Sequence, residues 1–203
     1  MQRITSLFDY FKKYEQSVKD PEKFWAEIAD TFIWKKKWDK VLDWDFDSVD
    51  IKWFKNAKLN ITENILEKNL IDRADKTAII WEPNDPTEPS IHLTYKELYE
   101  ETCKFSNALR EKGIKKGDRV IIYMPMVPEA AIAMLACARV GAVHSVVFAG
   151  FSSTSLADRI NDCQAKMVLT SDGNFRGNKT IPVKPVVDEA LEKCKTIESV
   201  IVL

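Results

Sequence analysis

The segment from residue 171 to residue 180 combines residue types that can hold a phosphate group. Its sequence is SDGNFRGNKT, so the cations Arg176 and Lys179 lie three residues apart, and Gly173 and Gly177 free the backbone. An arginine can bind a phosphate through two parallel hydrogen bonds, whereas a lysine acts as a point charge. Taken alone, the pattern is equally typical of a solvated flexible loop. The residues by themselves therefore leave both interpretations open.

A second candidate loop has the sequence FAGFS and covers residues 148–152. Gly150 permits close approach of a backbone or a ligand, and Ser152 can cap the helix predicted to follow. The pattern fits a plain helix cap and an anion site at a helix start equally well. A third loop, residues 124–127, carries no polar side chain, and its composition favours packing over ligand contact.

The remaining reactive side chains predict no catalytic site and no metal site. His144 lies among apolar residues, which is typical of a packed histidine, and His92 has no visible partner. The four cysteines occur singly, without the paired spacing of zinc or redox sites, and we interpret them as free thiols of a reducing compartment. They are Cys103, Cys137, Cys163 and Cys194. The chain also lacks a P-loop pattern and a Ser/Thr/Gly-rich phosphate loop.

Strands and helices alternate through the second part of the chain and must position these loops. Apolar runs predict strands at residues 119–124, 143–148, 166–170 and 200–203, with helices at 128–140, 153–163 and about 185–194. Capping-box patterns at Asn60/Glu63 and Thr94/Glu97 predict two earlier helices, the first through Leu70. This alternation indicates a parallel α/β sheet, in which ligands bind beyond the carboxyl ends of the strands.

The first 60 residues have a different composition. They contain five of the six tryptophans and no glycine. Apolar residues recur at helical spacing, and Asp20-Pro21 is typical of a helix start. Residues 40–54 predict an extended segment without a core of its own, so we interpret this region as an arm that packs on a larger body. A ligand cage made of aromatic rings is the alternative.

Composition excludes some classes of partner. Thirty basic residues balance 31 acidic ones, so no net positive field would hold nucleic acid or an anionic membrane. The longest uncharged stretch, residues 140–157, contains a histidine and two glycines and does not suit a membrane span. These features predict a cytoplasmic protein. The apolar run at residues 201–203 predicts a chain that stops within a strand and is therefore truncated.

Residues 123–152, YMPMVPEAAIAMLACARVGAVHSVVFAGFS, closely resemble the acetyl-CoA synthetases, AMP-forming members of the adenylate-forming acyl-CoA synthetase family. The segments DPEKFWAEIA, VDIKWF, LNITENILEKNL, TAIIWEP and LTYKEL resemble the front part of that family in the same order. The resemblance implies an α/β fold: an aromatic-rich helical and extended arm at residues 1–66, then the beginning of a large parallel-sheet AMP-binding domain at residues 67–203.

The resemblance also implies a function. Family members convert acetate, ATP and CoA to acetyl-CoA, AMP and pyrophosphate through acetyl-adenylate. Their ATP and Mg²⁺ sites and catalytic residues match positions beyond Leu203, so we expect this chain to be inactive alone. Propionate activation and a freestanding CoA- or nucleotide-binding module are the alternatives. The expected partners are small molecules, without nucleic acid or membrane, and the arm could line a contact between copies.

The resemblance assigns CoA nucleotide contacts to two segments of this chain. The implied contact residues are Phe148, Gly150, Arg176, Gly177, Asn178 and Lys179. Ala149 stands where some members have glycine, and Lys179 where some have arginine. At Lys179 the contact would therefore be a point charge in place of a fork.

Overall fold

A computed structural model describes residues 4–203, so the first three residues of the predicted arm lie outside the described residues. The chain divides into two compact units, one ending at Asn64 and the other running from Ile65 to Leu203. Between residues 4 and 203, no helix has both the length and the apolar character that a membrane crossing requires.

The first unit contains two helices and a β-hairpin. Its elements are α1 (Leu7–Lys19), α2 (Pro21–Ala29), β1 (Lys40–Asp45) and β2 (Asp50–Lys55). The Asp20 side chain accepts a 3.1 Å hydrogen bond from the backbone amide of Lys23, and Pro21 occupies the first helical position. The helix start that the sequence predicts at Asp20-Pro21 is therefore confirmed.

The segment predicted to be simply extended folds back on itself. Strands β1 and β2 pair antiparallel, with Leu42 opposite Trp53. The rings of Trp34, Trp38 and Phe54 lie with their centroids 5.2–5.6 Å apart. Two of these three rings lie outside residues 40–54, and most large apolar side chains of the hairpin, Trp53 among them, are exposed. The segment is therefore paired as a hairpin, which agrees with the prediction that it has no core of its own.

The second unit is built around a parallel sheet. A π-helical turn at Glu63–Glu67 leads into its elements, which are α3 (Lys68–Arg73), β3 (Thr77–Trp81), β4 (Ile91–Thr94), α4 (Tyr95–Glu111), β5 (Arg119–Tyr123), α5 (Pro128–Val140), β6 (Val143–Val146), α6 (Ser153–Cys163), β7 (Met167–Thr170), β8 (Gly173–Arg176), β9 (Lys179–Pro182), α7 (Lys184–Leu191) and β10 (Ser199–Val202). Four strands pair in the order β10-β7-β5-β6, all parallel. The predicted parallel α/β fold is confirmed.

Helices cover both faces of this sheet. Ile121 and Val168 point towards α6 and α7, whereas Val120 and Leu169 point towards α4 and α5. Successive residues of a strand face opposite sides, so two core layers form around the two central strands. All four of these side chains are buried, which is what a parallel sheet requires.

The two predicted capping boxes have different outcomes. Thr94 and Glu97 form the full reciprocal box at the start of α4. At the other site, Asn60 Oδ1 accepts a 3.0 Å hydrogen bond from the backbone amide of Thr62, and the Glu63 carboxylate lies 2.7 Å from Lys35 Nζ. The helix then passes through the π-helical turn and ends at Arg73, three residues later than predicted.

Candidate functional site

The segment with the two cations, which the sequence predicted as a loop, is a β-hairpin. Strands β8 and β9 pair antiparallel, which places Arg176 directly opposite Lys179 and leaves Gly177 and Asn178 as the two turn residues. Gly177 has φ +56°, as the first central residue of a type II′ turn requires. Glycine adopts this conformation without steric cost, and the sequence pattern Gly-Asn therefore explains the tight turn.

Arg176 and Lys179 form an unneutralised pair of positive charges. Residues directly opposite in an antiparallel pair share a face, with Cβ atoms about 5 Å apart. Within residues 4–203, neither cation lies within ion-pair distance of a carboxylate. Like charges placed opposite each other destabilise a hairpin, and an anion between them would offset this repulsion. Both side chains are exposed, so an anion can reach them from solvent.

The base of the hairpin is fixed to the sheet. The backbone amides of Val183 and Lys184 both donate to the carbonyl of Asp172, at 3.0 and 3.2 Å. The amide of Asp172 donates to the carbonyl of Leu203, next to β10. The hairpin is therefore an insertion between β7 and α7 whose two ends meet at one residue.

The tip of the hairpin is held by a residue that the sequence analysis did not select. Asn84 Nδ2 donates a 2.8 Å hydrogen bond to the carbonyl of Gly177, and the amide of Gly177 donates a 3.2 Å bond to Asn84 Oδ1. Asn84 belongs to the Pro-rich segment 83–89, which the sequence identified only as a turn or loop. Its Asn-Asp pair between prolines was the one available signal, and it does not reveal the partner.

The second predicted segment follows β6. The Phe148 ring is 69% exposed, and a Cβ atom at Gly150 would lie 2.5 Å from Cε1 of that ring. The sequence suggested that Gly150 leaves room for a ligand or for a backbone. In the structure, the space beside Gly150 is filled by the ring of Phe148. Ser152 Oγ accepts a 3.3 Å bond from the amide of Ser155, so the helix-cap function is present at the start of α6.

A further aromatic ring and a cation border this segment. Phe151 lies edge to face with Phe148, with the ring centroids 6.0 Å apart. The guanidinium of Arg159 lies 4.8 Å from the centroid of the Phe151 ring, within the range of a cation–π contact. The segment therefore presents an exposed aromatic face beside a positive charge.

Both segments leave the same edge of the sheet. Strands β6 and β7 flank β5 and run parallel to it, so their carboxyl ends lie about 10 Å apart. Among the described residues, no hydrogen bond or ring contact joins the Phe148 segment to the hairpin. The structure thus places the predicted residues in two groups at one edge, as the crevice rule for open sheets expects.

Comparison with known proteins decides the family. The model of the AMP-binding enzyme family matches residues 66–203, and the model named acetyl-coenzyme A synthetase N-terminus matches residues 10–65. The chain belongs to the AMP-binding enzymes.

Two relatives and one solved structure match the chain over nearly its whole length. The chain is 54% identical over 195 residues to the acetyl-coenzyme A synthetase of Syntrophobacter fumaroxidans, and 52% identical over 196 residues to that of Bradyrhizobium diazoefficiens. Each match covers 96% of the chain, which spans 30% of the length of these relatives. The solved structure of acetoacetyl-CoA synthetase from Streptomyces lividans superposes with a TM-score of 0.84 at 27% identity, over 93% of this chain and 29% of that one.

The other polar candidates of this AMP-binding enzyme form no second site. His92 Nε2 lies 3.0 Å from Ser90 Oγ, so the prediction that it has no partner was wrong. His144 is half-buried in β6, and burial lowers its pKa. Met126, in the segment predicted to pack, is 87% exposed, while its carbonyl accepts a 2.7 Å bond from Trp81 Nε1. Across residues 4–203, no group of three or more His, Cys, Asp or Glu side chains is arranged to hold a metal ion.

An apolar cavity lies elsewhere in this AMP-binding enzyme. It has a volume of about 500 Å³ and is lined by α4, α5 and the ends of β7 and β10. Its walls include Phe105, Met124, Ile132 and Leu203. None of the residues predicted to contact CoA lines this cavity, so it is separate from the two groups at the sheet edge.

Proposed function

We propose that the chain is part of an acetate–CoA ligase that converts acetate, ATP and CoA to acetyl-CoA, AMP and pyrophosphate. The observation that carries this proposal is the 54% identity to an acetyl-coenzyme A synthetase over 96% of the chain. The match of residues 10–65 to the amino-terminal model of the same enzymes supports it independently.

The proposed reaction has two steps. An oxygen of the acetate carboxylate attacks the α-phosphorus of Mg-ATP, pyrophosphate leaves, and acetyl-adenylate forms. The thiol of CoA then attacks the acetyl carbonyl carbon, loses its proton, and AMP leaves as a stable phosphate monoester. This chain contributes to the second step by binding the nucleotide portion of CoA. The groups that hold ATP and Mg²⁺ belong to sequence beyond residue 203.

Charge and exposure support the CoA contacts that the family resemblance implies. Arg176 and Lys179 flank one position at the hairpin tip where a phosphate would relieve their mutual repulsion. Gly177 and Asn178 form the exposed turn between them, and Gly150 leaves space for the Phe148 ring, whose free face can stack on a base.

Acetate is favoured over propionate by the names of the relatives. No described residue is assigned to the acyl pocket that separates the two acids.

We also propose that copies associate through the amino-terminal unit. A reducing cytoplasmic environment suits the four free cysteines.

Carboxylate-dependent exchange of pyrophosphate into ATP tests the proposed reaction. The full-length ligase containing this chain should catalyse exchange with acetate at a higher kcat/KM than with propionate or acetoacetate, and should release AMP only after CoA is added. The 203-residue chain by itself should catalyse no exchange above a buffer control. Preference for another acid would change the substrate assignment, and absence of exchange with every acid would overturn the proposal.

A further inference from the structure

We propose that Asn84 is a positioning residue for CoA, because its side chain fixes the tip of the hairpin that carries Arg176 and Lys179. This inference rests on the proposed function. Asn84 Nδ2 donates to the Gly177 carbonyl at 2.8 Å, and Asn84 Oδ1 accepts from the Gly177 amide at 3.2 Å. The carboxamide therefore pairs with both polar backbone groups of one turn residue.

The hairpin needs such an anchor. Each of its strands has only four residues, and a two-stranded hairpin is marginally stable in water. Its base is tied to the sheet through Asp172, whereas its tip is exposed. Because Gly177 directly follows Arg176 and lies two residues before Lys179, holding the Gly177 backbone restricts where Arg176 and Lys179 can point. Restricting them before binding lowers the ordering entropy that a phosphate would otherwise have to overcome.

Asn84 is itself held in place from both sides. Downstream, Asp85 Oδ1 accepts bonds from the amide and hydroxyl of Thr87 at 2.9 and 2.7 Å, which shapes the turn. Upstream, Trp81 in β3 donates from Nε1 to the carbonyl of Met126. Asn84 therefore belongs to a segment that hydrogen bonds hold in place within the second unit.

The type of residue at position 84 matters for the charge of the site. A carboxamide can donate to a carbonyl and accept from an amide at the same time. An aspartate would lose the donor, place its charge near the Gly177 carbonyl, and compete with phosphate for the two cations. A neutral side chain that pairs with backbone fixes the tip and leaves both positive charges available to CoA.

The experiment compares Asn84→Ala and Asn84→Asp with the parent in the full-length ligase, with Asn107→Ala as the matched control. Asn107 is an exposed residue of α4. Asn84→Ala should raise the KM for CoA about five- to tenfold, as expected for loss of a positioning pair of hydrogen bonds, and Asn84→Asp should raise it at least as much. Acetate-dependent pyrophosphate exchange and the KM for acetate should stay at parent values. Hydrogen exchange of the peptide covering residues 173–182 should accelerate, and Asn107→Ala should change none of these quantities.

A double-mutant cycle separates positioning from general destabilisation. If Asn84 acts through the two cations, Asn84→Ala should add almost nothing to the KM for CoA when Arg176 and Lys179 are already alanine. An additive effect, or an equal fall in pyrophosphate exchange, would overturn the inference. An unchanged KM in Asn84→Ala, with a raised KM in the Arg176/Lys179 variant, would overturn it and leave the proposed function intact. If neither variant changes the KM, the assignment of CoA to the hairpin fails, and this inference fails with it.

Discussion

The hydroxyl of Tyr123 donates a 2.7 Å hydrogen bond to the carbonyl of Phe151. Tyr123 is the last residue of β5 and is 1% exposed, whereas Phe151 lies in the exposed segment after β6. Burial raises the pKa of the Tyr123 phenol, so the hydroxyl stays a donor across the ordinary pH range. The bond joins the centre of the sheet to the segment that carries Phe148 and Gly150.

Replacing Tyr123 with phenylalanine should test this connection. The variant keeps the ring packing and loses the bond, so the free energy of unfolding should fall by about 1 kcal/mol in urea titration. Hydrogen exchange in residues 148–152 should accelerate. Tyr10→Phe is the control, since Tyr10 is exposed and, within residues 4–203, its hydroxyl makes no hydrogen bond. Equal stability of the two variants would show that the Tyr123 bond contributes nothing measurable.

Replacing Arg176 and Lys179 together with alanine should weaken CoA binding by the full-length ligase. Loss of two exposed phosphate contacts should raise the KM for CoA about tenfold to thirtyfold, and the effect should shrink at high salt because exposed charges are screened. In the proposed reaction, acetate-dependent pyrophosphate exchange precedes CoA binding, so its rate should stay near that of the parent.

The matched control for this pair is Arg110→Ala with Lys195→Ala. It removes the same charge from two exposed positions that do not belong to the hairpin or to the Phe148 segment. If the control raises the KM for CoA as much as the hairpin variant does, the effect comes from net charge. If pyrophosphate exchange falls together with CoA affinity, the hairpin is structural and the assignment is wrong.

The thiol of Cys137 should be chemically silent in the folded chain. It is fully buried in α5, and burial raises its pKa to about 12. Only a thiolate reacts with an aromatic disulfide reagent, so Cys137 should label at pH 8 only after denaturation. Peptide mapping identifies the labelled residue, and the half-buried Cys103 and Cys163 provide the internal comparison. Rapid labelling of Cys137 without denaturant would contradict the packing of α5.

We expect the stability of the folded chain in acid to depend on the carboxylate of Asp118. It accepts a 2.8 Å bond from the Lys115 amide and lies 3.1 Å from Lys166 Nζ. The first of these contacts, followed by the second, lowers the Asp118 pKa in the folded state. A lowered folded pKa contributes stability above the unfolded value of about 3.9, and this contribution disappears as the pH falls through the folded value.

Asp118→Asn tests this relationship. The variant should be less stable than the parent at pH 7, by about 1.5 kcal/mol, and the difference should narrow as the pH falls below the unfolded pKa of about 3.9. Urea unfolding at both pH values measures it. Asp158→Asn, at an exposed site of α6, should match the parent at both. A difference that persists unchanged in acid would mean that the carboxylate charge is not the cause.

Local signals in the sequence predicted the larger elements well. Helices α5 and α6 begin and end at the predicted residues because Pro128 and Ser152 mark their starts, and Gly141 and Gln164 adopt left-handed conformations at their ends. The β–α alternation was sufficient to predict the parallel sheet. The Arg176 and Lys179 pattern indicated a candidate phosphate site but did not distinguish it from a solvated loop.

The sequence could not predict contacts between distant residues. Asn84 and Gly177 are 93 positions apart, and turn residues carry no pattern that identifies a partner. Strands β8 and β9 were missed because polar and glycine residues interrupt them, so neither shows the apolar run that predicted the equally short β6, β7 and β10. The helix after Asn60 differs from its prediction because it passes through a π-helical turn at Glu63–Glu67, and capping patterns do not encode such a turn.

Both ends of the hairpin meet at Asp172, so residues 173–182 form an insertion that is closed at its base. The crossover from β7 to α7 is already closed by the bonds from Val183 and Lys184, so the chain outside the hairpin does not need the tip for its own geometry. The length and the charge of this insertion can therefore change during evolution without disturbing the sheet.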